Sequence, residues 1–320
     1  MPDTTAAAVQ LEGVVKRFSG HTAVRGLSLT VPRGGMFGLL GPNGAGKTTT
    51  IRMIMNVLVP DEGSVRVFGR PAGRELSARV GFLPEERGLY KKMRVLDHLV
   101  FLGETKGMKA AAARRAAGEW LDRLGLAEWT QRKVEDLSKG MQQKVQFIGT
   151  VLHAPELLVL DEPFSGLDPV NAQVMKEAVL EFARGGGTVL FSTHIMEQAE
   201  RMCDRVVIIA RGEKVVDGTL AEVKREAGGQ HVALTFTSGR DRAAAVLADR
   251  ALVRYEHDDG GSAEVEMAPG AEPEMLLRAL VGAGAGLSNF SVKEPSLQSI
   301  FIAKVGAQAA RTAHREVQHA

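Results

Sequence analysis

The feature that most constrains this chain is a glycine-rich loop, Gly41–Thr48, with the spacing G-x-x-x-x-G-K-T. The apolar run Met36–Leu40 before it predicts a buried strand, and the pattern from Thr49 to Leu58 predicts a helix. Glycines permit the tight turn that aims successive backbone N–H groups at one phosphate chain. The free N–H groups and positive dipole end of the following helix complete an anion site. By itself, this loop predicts only that the chain binds a nucleoside triphosphate.

Individual side chains in and near the loop have specific expected roles. Lys47 would reach the β- and γ-phosphates, and the Thr48 hydroxyl would ligate the Mg²⁺ that accompanies them. Thr49 would add a hydrogen bond to the α-phosphate. Phe18, at the end of the first predicted strand, either lies over an adenine ring or packs in the core. The expected nucleotide contacts here are Phe18, Gly41, Pro42, Asn43, Gly44, Ala45, Gly46, Lys47, Thr48 and Thr49.

Composition argues against several other classes of protein. The formal net charge is +2, from 40 basic and 38 acidic residues, so no broad positive field would gather nucleic acid. No window reaches the roughly 18 apolar residues of a membrane-spanning helix. Met1–Gln10 lacks the positive charge and apolar core of a signal peptide. We therefore expect a cytoplasmic chain without a nucleic-acid partner, in which the single cysteine, Cys203, is a buried side chain.

The segments around the loop predict a mixed α/β fold. Val9–Phe18 and Val24–Val31 alternate and are separated by a Ser-Gly turn, which favours an antiparallel pair. Ser64–Phe68 and Val80–Leu83 are predicted to be strands. Arg94–Gly125 has a helical pattern, with an alanine-rich centre that favours helix strongly.

A second loop-to-helix junction, Leu137–Gln143, precedes a helix predicted to run to about His153. Ser138 can cap this helix, and a helix N-terminus is another anion site. An ordinary structural cap would explain the same residues, so the junction has two interpretations at this point.

Two adjacent acids follow the apolar run Leu157–Leu160, which predicts a buried strand. Acids at the carboxyl end of such a strand are costly unless they hold a cation or water. Asp161 therefore fits a Mg²⁺ partner, and Glu162 fits a general base that polarises an attacking water. His194 follows the next predicted strand, Thr188–Phe191, which is expected to lie beside the strand of Asp161.

Taken in this order, the segments resemble the ATP-binding subunit of an ABC transporter over about residues 9–226. Five motifs of that family match: Walker A at Gly41–Thr48, Walker B at Leu157–Glu162, the signature motif at Leu137–Gln142, the D-loop at Ser165–Asp168, and the switch histidine at His194. Five motifs in the right order are far more specific than any one of them.

The chain departs from the family pattern in two places. The usual signature is L-S-G-G-Q, whereas Lys139 and Met141 occupy its third and fifth positions here. Glu85 stands where most members have glutamine; a carboxylate can still supply an oxygen to Mg²⁺, and the register leaves Glu86 as an alternative. The run Leu83–Tyr90 resembles a subgroup that serves ABC-2 type exporters.

The resemblance implies a P-loop NTPase fold over residues 1–228, with an antiparallel β subdomain and a helical subdomain at about 88–153. Residues 229–305 predict the βαββαβ order of a small ferredoxin-like α+β domain, which resembles the C-terminal domain of many ABC-2 type ATPases. Dimerisation and ligand sensing are its alternative roles. Residues 306–320 are expected to form a flexible tail.

The resemblance also implies a mechanism in which two copies pair head to tail around ATP and Mg²⁺. Hydrolysis would open the homodimer and move a separate membrane permease, with the chain peripheral on the inner face of the membrane. A soluble ABC ATPase that regulates a non-transport assembly is the alternative function. The implied site residues are catalytic Glu162, His194 and Lys47; Mg²⁺ ligands Thr48, Glu85 and Asp161; ATP contacts Ser138 and Gly140 from the other copy; and dimer contacts Ser138, Lys139, Gly140, Met141 and Asp168.

Overall fold

The structure is a computed structural model that describes residues 7–86, 88–227, 231–258 and 261–305. The chain divides into two compact units between Asp217 and Gly218. This division precedes the predicted domain boundary at 228, because the strand that ends at Thr219 leads directly into a helix, Leu220–Ala227, of the second unit. The expected tail at 306–320 lies outside the described residues.

The first unit contains most of the strands and the longer helices. In chain order its elements are β1 (Ala7–Phe18), β2 (His21–Pro32), β3 (Gly35–Leu40), α1 (Lys47–Ile54), β4 (Glu62–Val67), β5 (Arg70–Pro71), β6 (Val80–Leu83), α2 (Val95–Thr105), α3 (Ala110–Arg123), α4 (Lys139–Val151), β7 (Leu157–Asp161), α5 (Pro169–Arg184), β8 (Thr188–Thr193), α6 (Met196–Met202), β9 (Arg205–Ala210) and β10 (Glu213–Thr219).

These strands form two sheets. One is ordered β2-β1-β4-β5, and its β1–β2 pair is antiparallel, as predicted. The other is ordered β10-β9-β3-β8-β7-β6, and the strands from β9 to β6 run parallel. Parallel strands end at the same edge of a sheet. Consequently Leu40 lies opposite Thr193, and Asp161 opposite Ser192, where the glycine loop begins.

The core of this unit holds the first helix between the two sheets. Val9 and Leu29 of the antiparallel sheet, Leu39 and Val159 of the parallel sheet, and Ile51 of α1 all belong to one cluster of buried side chains. Burial of apolar side chains stabilises this arrangement by about 1.5–3 kcal/mol for each large residue. The packing therefore holds the start of α1 firmly against the end of β3.

Two predicted helices have different bounds in the structure. The stretch Arg94–Gly125, predicted to be helical, consists of two helices, α2 and α3, with a break at Gly107, which has a φ of 88°. That left-handed conformation suits glycine and ends the helix before it. The first helix ends at Ile54 rather than Leu58, and Asn56 beyond it has a φ of 54°.

The second unit has the predicted βαββαβ order, which is confirmed. Its elements are α7 (Leu220–Ala227), β11 (His231–Ser238), α8 (Arg240–Leu247), β12 (Val253–Asp258), β13 (Ser262–Met267), α9 (Pro273–Gly282), β14 (Gly286–Lys293) and a helix at 297–305. The strands form an antiparallel sheet ordered β12-β13-β11-β14, the ferredoxin-like arrangement. Val232 and Leu234 pack with Leu276 and Leu280 of α9 in a core of its own. None of the helices in the described ranges is both long and apolar enough to cross a membrane.

Candidate functional site

Two positions of the loop have to be glycine, because the backbone of another strand passes too close for a side chain. At Gly41, with a φ of 151°, a Cβ atom would lie 2.1 Å from the backbone oxygen of Ile209. At Gly46, with a φ of 104°, it would lie 2.5 Å from that of Ala23. Neither backbone atom can move aside without disturbing a strand, so any side chain at these positions would distort the loop.

Lys47 begins α1 and is buried beneath the loop, with 6% of the residue exposed. Its Nζ donates to the backbone oxygens of Gly41 at 2.7 Å and Pro42 at 3.1 Å, and lies 3.9 Å from Glu162 Oε1. Burial lowers the pKa of Lys47, while nearby carboxylates, Glu162 first, oppose that shift. A buried ammonium among loop carbonyls is well placed to gain a triphosphate as a better partner.

Asp161 is the last residue of β7, and its side-chain carboxylate is buried. Asp161 Oδ1 has no hydrogen-bond partner within the part of the chain that the structure describes. Burial raises the pKa of Asp161, and the hydroxyls of Thr48 and Ser192 oppose that shift. Oxygen ligands of this kind fit Mg²⁺. No group of three acidic, histidine or cysteine side chains in the described ranges is placed to hold a metal ion.

The next residue, Glu162, is held in an unusual conformation. Its φ of 48° is rare outside glycine and costs on the order of 1 kcal/mol or more. Oε1 accepts a hydrogen bond from the His194 backbone N–H at 2.9 Å and lies 2.8 Å from His194 Nδ1. Oε2 accepts from the Thr193 hydroxyl at 3.2 Å. The last residue of β8, Thr193, and the residue after it, His194, thus fix both carboxylate oxygens.

Lys47, Glu162 and His194 meet in a cleft of about 530 Å³. The side chain of Phe18 lines it and is 46% exposed, which excludes the core alternative for this residue. The lining residues are Phe18, His21, Ala23, Asn43, Gly44, Ala45, Gly46, Lys47, Thr48, Thr49, Glu85, Glu162, Ser165 and His194.

Three of these lining residues, His21, Ala23 and Ser165, were not among the predicted site residues of any kind. His21 lies opposite Phe18 across the turn between β1 and β2, so the hairpin pattern is the signal that would have found it. Ser165 lies in the loop after Glu162, where its backbone N–H donates to the backbone carbonyl oxygen of Glu162 at 3.1 Å.

The start of α4 does not enter this cleft. Ser138 caps the helix by accepting from the Met141 N–H at 3.3 Å, and Lys139 is exposed. Lys139 instead lines a second cleft of about 620 Å³, which shares Glu85, Glu162 and Ser165 with the first. Neither Ser138 nor Gly140 lines the nucleotide cleft, as far as the described residues show.

Two further predicted residues have local contacts. Asp168 caps α5 by accepting from the Asn171 N–H at 3.0 Å. Met141 is partly buried in the first turn of α4. Each therefore has a structural role in its own chain.

Two glutamines of α4 tie that helix to the acidic loops, and neither was predicted. Gln143 Nε2 donates to the Pro163 oxygen at 3.1 Å, next to Glu162. Gln146 Nε2 donates to the oxygens of Pro84 at 3.3 Å and Glu86 at 3.2 Å, on either side of Glu85. The helix that starts at Ser138 thus holds both loops of the cleft, a contact between distant segments that no local pattern reveals.

Comparison with known families agrees with this arrangement. The family model described as "ABC transporter" matches residues 24–165. A second model, "ATP-binding protein DrrA1-3-like, C-terminal domain", matches residues 218–305, which corresponds to the second structural unit.

Individual proteins are similar over most of the chain. The Bacillus subtilis "Uncharacterized ABC transporter ATP-binding protein YhaQ" is 46% identical over 93% of this chain and 98% of its own length. The "Linearmycin resistance ATP-binding protein LnrL" of the same species is 33% identical over 93% and 98%. A solved "ATP binding subunit of ABC transporter" is 30% identical, with a TM-score of 0.64 over 68% of this chain and 92% of that one. The chain therefore belongs to the ABC transporter ATP-binding proteins, a family of ATPases.

Proposed function

We propose that this chain powers an export system through ATP hydrolysis, with Glu162 as the general base. The observation that carries the proposal is the position of Glu162 in the phosphate-loop cleft, 3.9 Å from Lys47 and bound to His194. A buried carboxylate beside the expected γ-phosphate can accept a proton from an attacking water. The resistance protein among the relatives and the DrrA-like C-terminal match support an export role.

The residues of the cleft divide the chemistry among them. Lys47 exchanges its loop carbonyls for the β- and γ-phosphates and stabilises negative charge during transfer. His194 keeps the Glu162 carboxylate in place through its N–H and its ring. Thr48 and Asp161, with Glu85 on the same cleft, would hold Mg²⁺, which neutralises charge on the phosphate oxygens when bound. Phe18 offers its exposed face to the adenine ring.

A second copy of the chain completes the site in this proposal. Ser138 and Gly140 bind the triphosphate of the facing copy, and Lys139, Met141 and Asp168 form contacts between the copies. The exposed start of α4, outside the cleft of its own chain, supports this assignment. ATP would hold the two copies together, and hydrolysis would release them.

Opening of the homodimer would drive a conformational change in a separate permease. The chain would therefore be peripheral on the inner face of the cell membrane. Gentle solubilisation of native membranes followed by affinity purification tests this step. Recovery of a multi-spanning protein in fixed ratio to the chain is expected. Recovery of a soluble assembly instead would favour the alternative, a regulatory ABC ATPase.

The central experiment replaces the proposed base by Glu162→Gln. We expect steady-state ATP hydrolysis to fall by about 100-fold or more, because the general base is lost. The affinity of the variant for nucleotide should be within a few-fold of that of the parent. In the presence of ATP, light scattering should show the variant as a dimer. Glu156→Gln is a matched control, since Glu156 directly precedes the same strand and pairs with Arg79 away from the cleft. Near-normal hydrolysis by Glu162→Gln would overturn the assignment.

A further inference from the structure

Three consecutive residues at the end of β8 hold Glu162. The Ser192 oxygen accepts the Glu162 backbone N–H at 3.0 Å, the Thr193 hydroxyl contacts Oε2, and the His194 N–H contacts Oε1. His194 is accounted for by the proposed function, whereas Thr193 has no role in it. Thr193 is 1% exposed and does not line the nucleotide cleft, so it does not contact the nucleotide itself.

The direction of the Thr193 hydrogen bond follows from its second partner. The Ile195 backbone N–H lies 3.1 Å from Thr193 Oγ1 and can only donate. The hydroxyl therefore accepts from Ile195, and its single proton is free for Glu162 Oε2 at 3.2 Å. A neutral hydroxyl that donates to a carboxylate stabilises the charged form and fixes its orientation.

The two carboxylate oxygens of Glu162 have different numbers of polar neighbours. Oε1 faces the His194 N–H, the His194 ring and, at 3.9 Å, the Lys47 ammonium. Oε2 has the Thr193 hydroxyl as its one partner in the described part of the chain. A carboxylate oxygen has two lone pairs, so Oε2 retains acceptor capacity for a water proton.

We infer that Oε2 is the oxygen that takes the proton and that Thr193 is its positioning residue. This inference rests on the proposed role of Glu162. In the step, one water proton passes to Oε2 while the water oxygen bonds to the γ-phosphorus. The bond between the γ-phosphorus and the oxygen that joins it to the β-phosphorus breaks, and its electron pair stays with ADP. The proton then returns to solvent from Oε2.

The test compares Thr193→Val, which keeps the shape and removes the hydroxyl, with Thr193→Ser, which keeps the hydroxyl. For Thr193→Val we expect kcat to fall about ten-fold, the loss typical of one charged hydrogen bond. KM for ATP should stay unchanged, because Thr193 does not line the cleft. Thr193→Ser should restore kcat.

Thr188→Val is the matched control for a merely structural effect. Thr188 begins the same strand, is 3% exposed, and accepts a backbone N–H, from Gly34, at 2.9 Å. Its replacement should lower Tm about as much as Thr193→Val and leave kcat unchanged. Binding of a fluorescent ATP analogue verifies that each variant is folded.

The Glu162→Gln background separates this inference from the proposed function. If Thr193 acts through Glu162, adding Thr193→Val to Glu162→Gln should cause no further loss of hydrolysis. An additive loss, or an unchanged kcat in the single variant, would overturn the inference while Glu162 remains the base. An active Glu162→Gln enzyme would instead remove the proposed function itself.

Discussion

Two helices of this protein begin at a serine cap, and the charges around the two caps are opposite. Ser138 caps α4, whose first turn contains no acid and begins with Lys139. Ser296 precedes the helix at 297–305 and meets the carboxylate of Glu264, which accepts from its N–H at 3.1 Å and its hydroxyl at 2.8 Å. One helix start thus has a carboxylate of its own chain bound at the cap, whereas the first turn of the other contains no acid.

The difference shows how a structural cap can be told from a ligand site. A helix N-terminus has a partial positive charge, so an internal carboxylate stabilises it and a lysine in the first turn does not. The arrangement at Ser296 satisfies that charge within the chain. The first turn that follows Ser138 supplies no carboxylate of its own, which agrees with the proposed anion from another copy.

Lys139→Glu should have the largest effect, because it gives α4 an internal anion like that of the C-terminal helix. Stability of α4 should rise by about 1 kcal/mol through its dipole. Hydrolysis should fall about 100-fold, because the carboxylate repels a facing triphosphate. Hydrogen exchange of the α4 amides and steady-state ATPase assays measure the two effects.

The control for this charge change is Lys91→Glu. Lys91 lines the same second cleft as Lys139 and lies outside α4. Equal losses from both variants would assign the effect to the overall charge of the cleft. Unchanged hydrolysis by Lys139→Glu would contradict the proposed role of this helix start.

Glu264→Gln removes the internal anion of the other helix start. Burial raises the pKa of Glu264, but the His231 ring, Ser296 and Ser299 outweigh it and lower that pKa to about 2. A lowered carboxylate pKa stabilises the folded state above the unfolded value of 4.5, and this contribution disappears as the pH falls from 4.5 to about 2. At pH 7 the variant should lose on the order of 2 kcal/mol.

Thermal unfolding of parent and variant across pH 2–7 tests this expectation, and the two curves should converge near pH 2. Glu274→Gln is the control, because Glu274 is an exposed acid in the first turn of α9. Its loss should be below about 1 kcal/mol. ATP affinity should be unaffected in both variants. A constant difference at every pH would mean that Glu264 contributes through packing rather than charge.

Much of the fold was predictable because its signals are local. The glycine loop needs its spacing, and the strands before Gly41 and Asp161 are short apolar runs, so each is legible within about ten residues. The parallel pairing of β7 with β8 follows from the βαβ rule and brings Asp161 opposite Ser192. The βαββαβ order of the second unit is legible in the same way.

The remaining features depend on contacts between segments far apart in sequence. No local sequence pattern predicts the hydrogen bond of Ser296 to Glu264 or those of Gln146 to the loop around Glu85. The exposed position of Phe18 follows from how the first sheet meets the loop. The break near Gly107 illustrates the opposite difficulty, since strong helix propensity on both sides obscured one glycine.

The smallest expected effects come from removing the two caps themselves, with Ser138→Ala and Ser296→Ala. Each should cost about 1 kcal/mol locally, the usual value for a lost serine cap. Ser296→Ala should lower stability more than Ser138→Ala does, because the Ser296 hydroxyl also binds Glu264 and accepts from the Ser299 N–H at 3.1 Å. Hydrogen exchange at Met141 and Ser299 reports these losses separately.

Catalysis should distinguish these two variants even where their stabilities agree. Ser138→Ala should lower hydrolysis by about ten-fold, because one hydroxyl donor to a facing phosphate is lost. Ser296→Ala should leave hydrolysis unchanged, since Glu264 of the same chain is already its anion. Equal hydrolysis by both variants would mean that Ser138, like Ser296, is a structural cap, and that the missing anion at α4 is simply replaced by water.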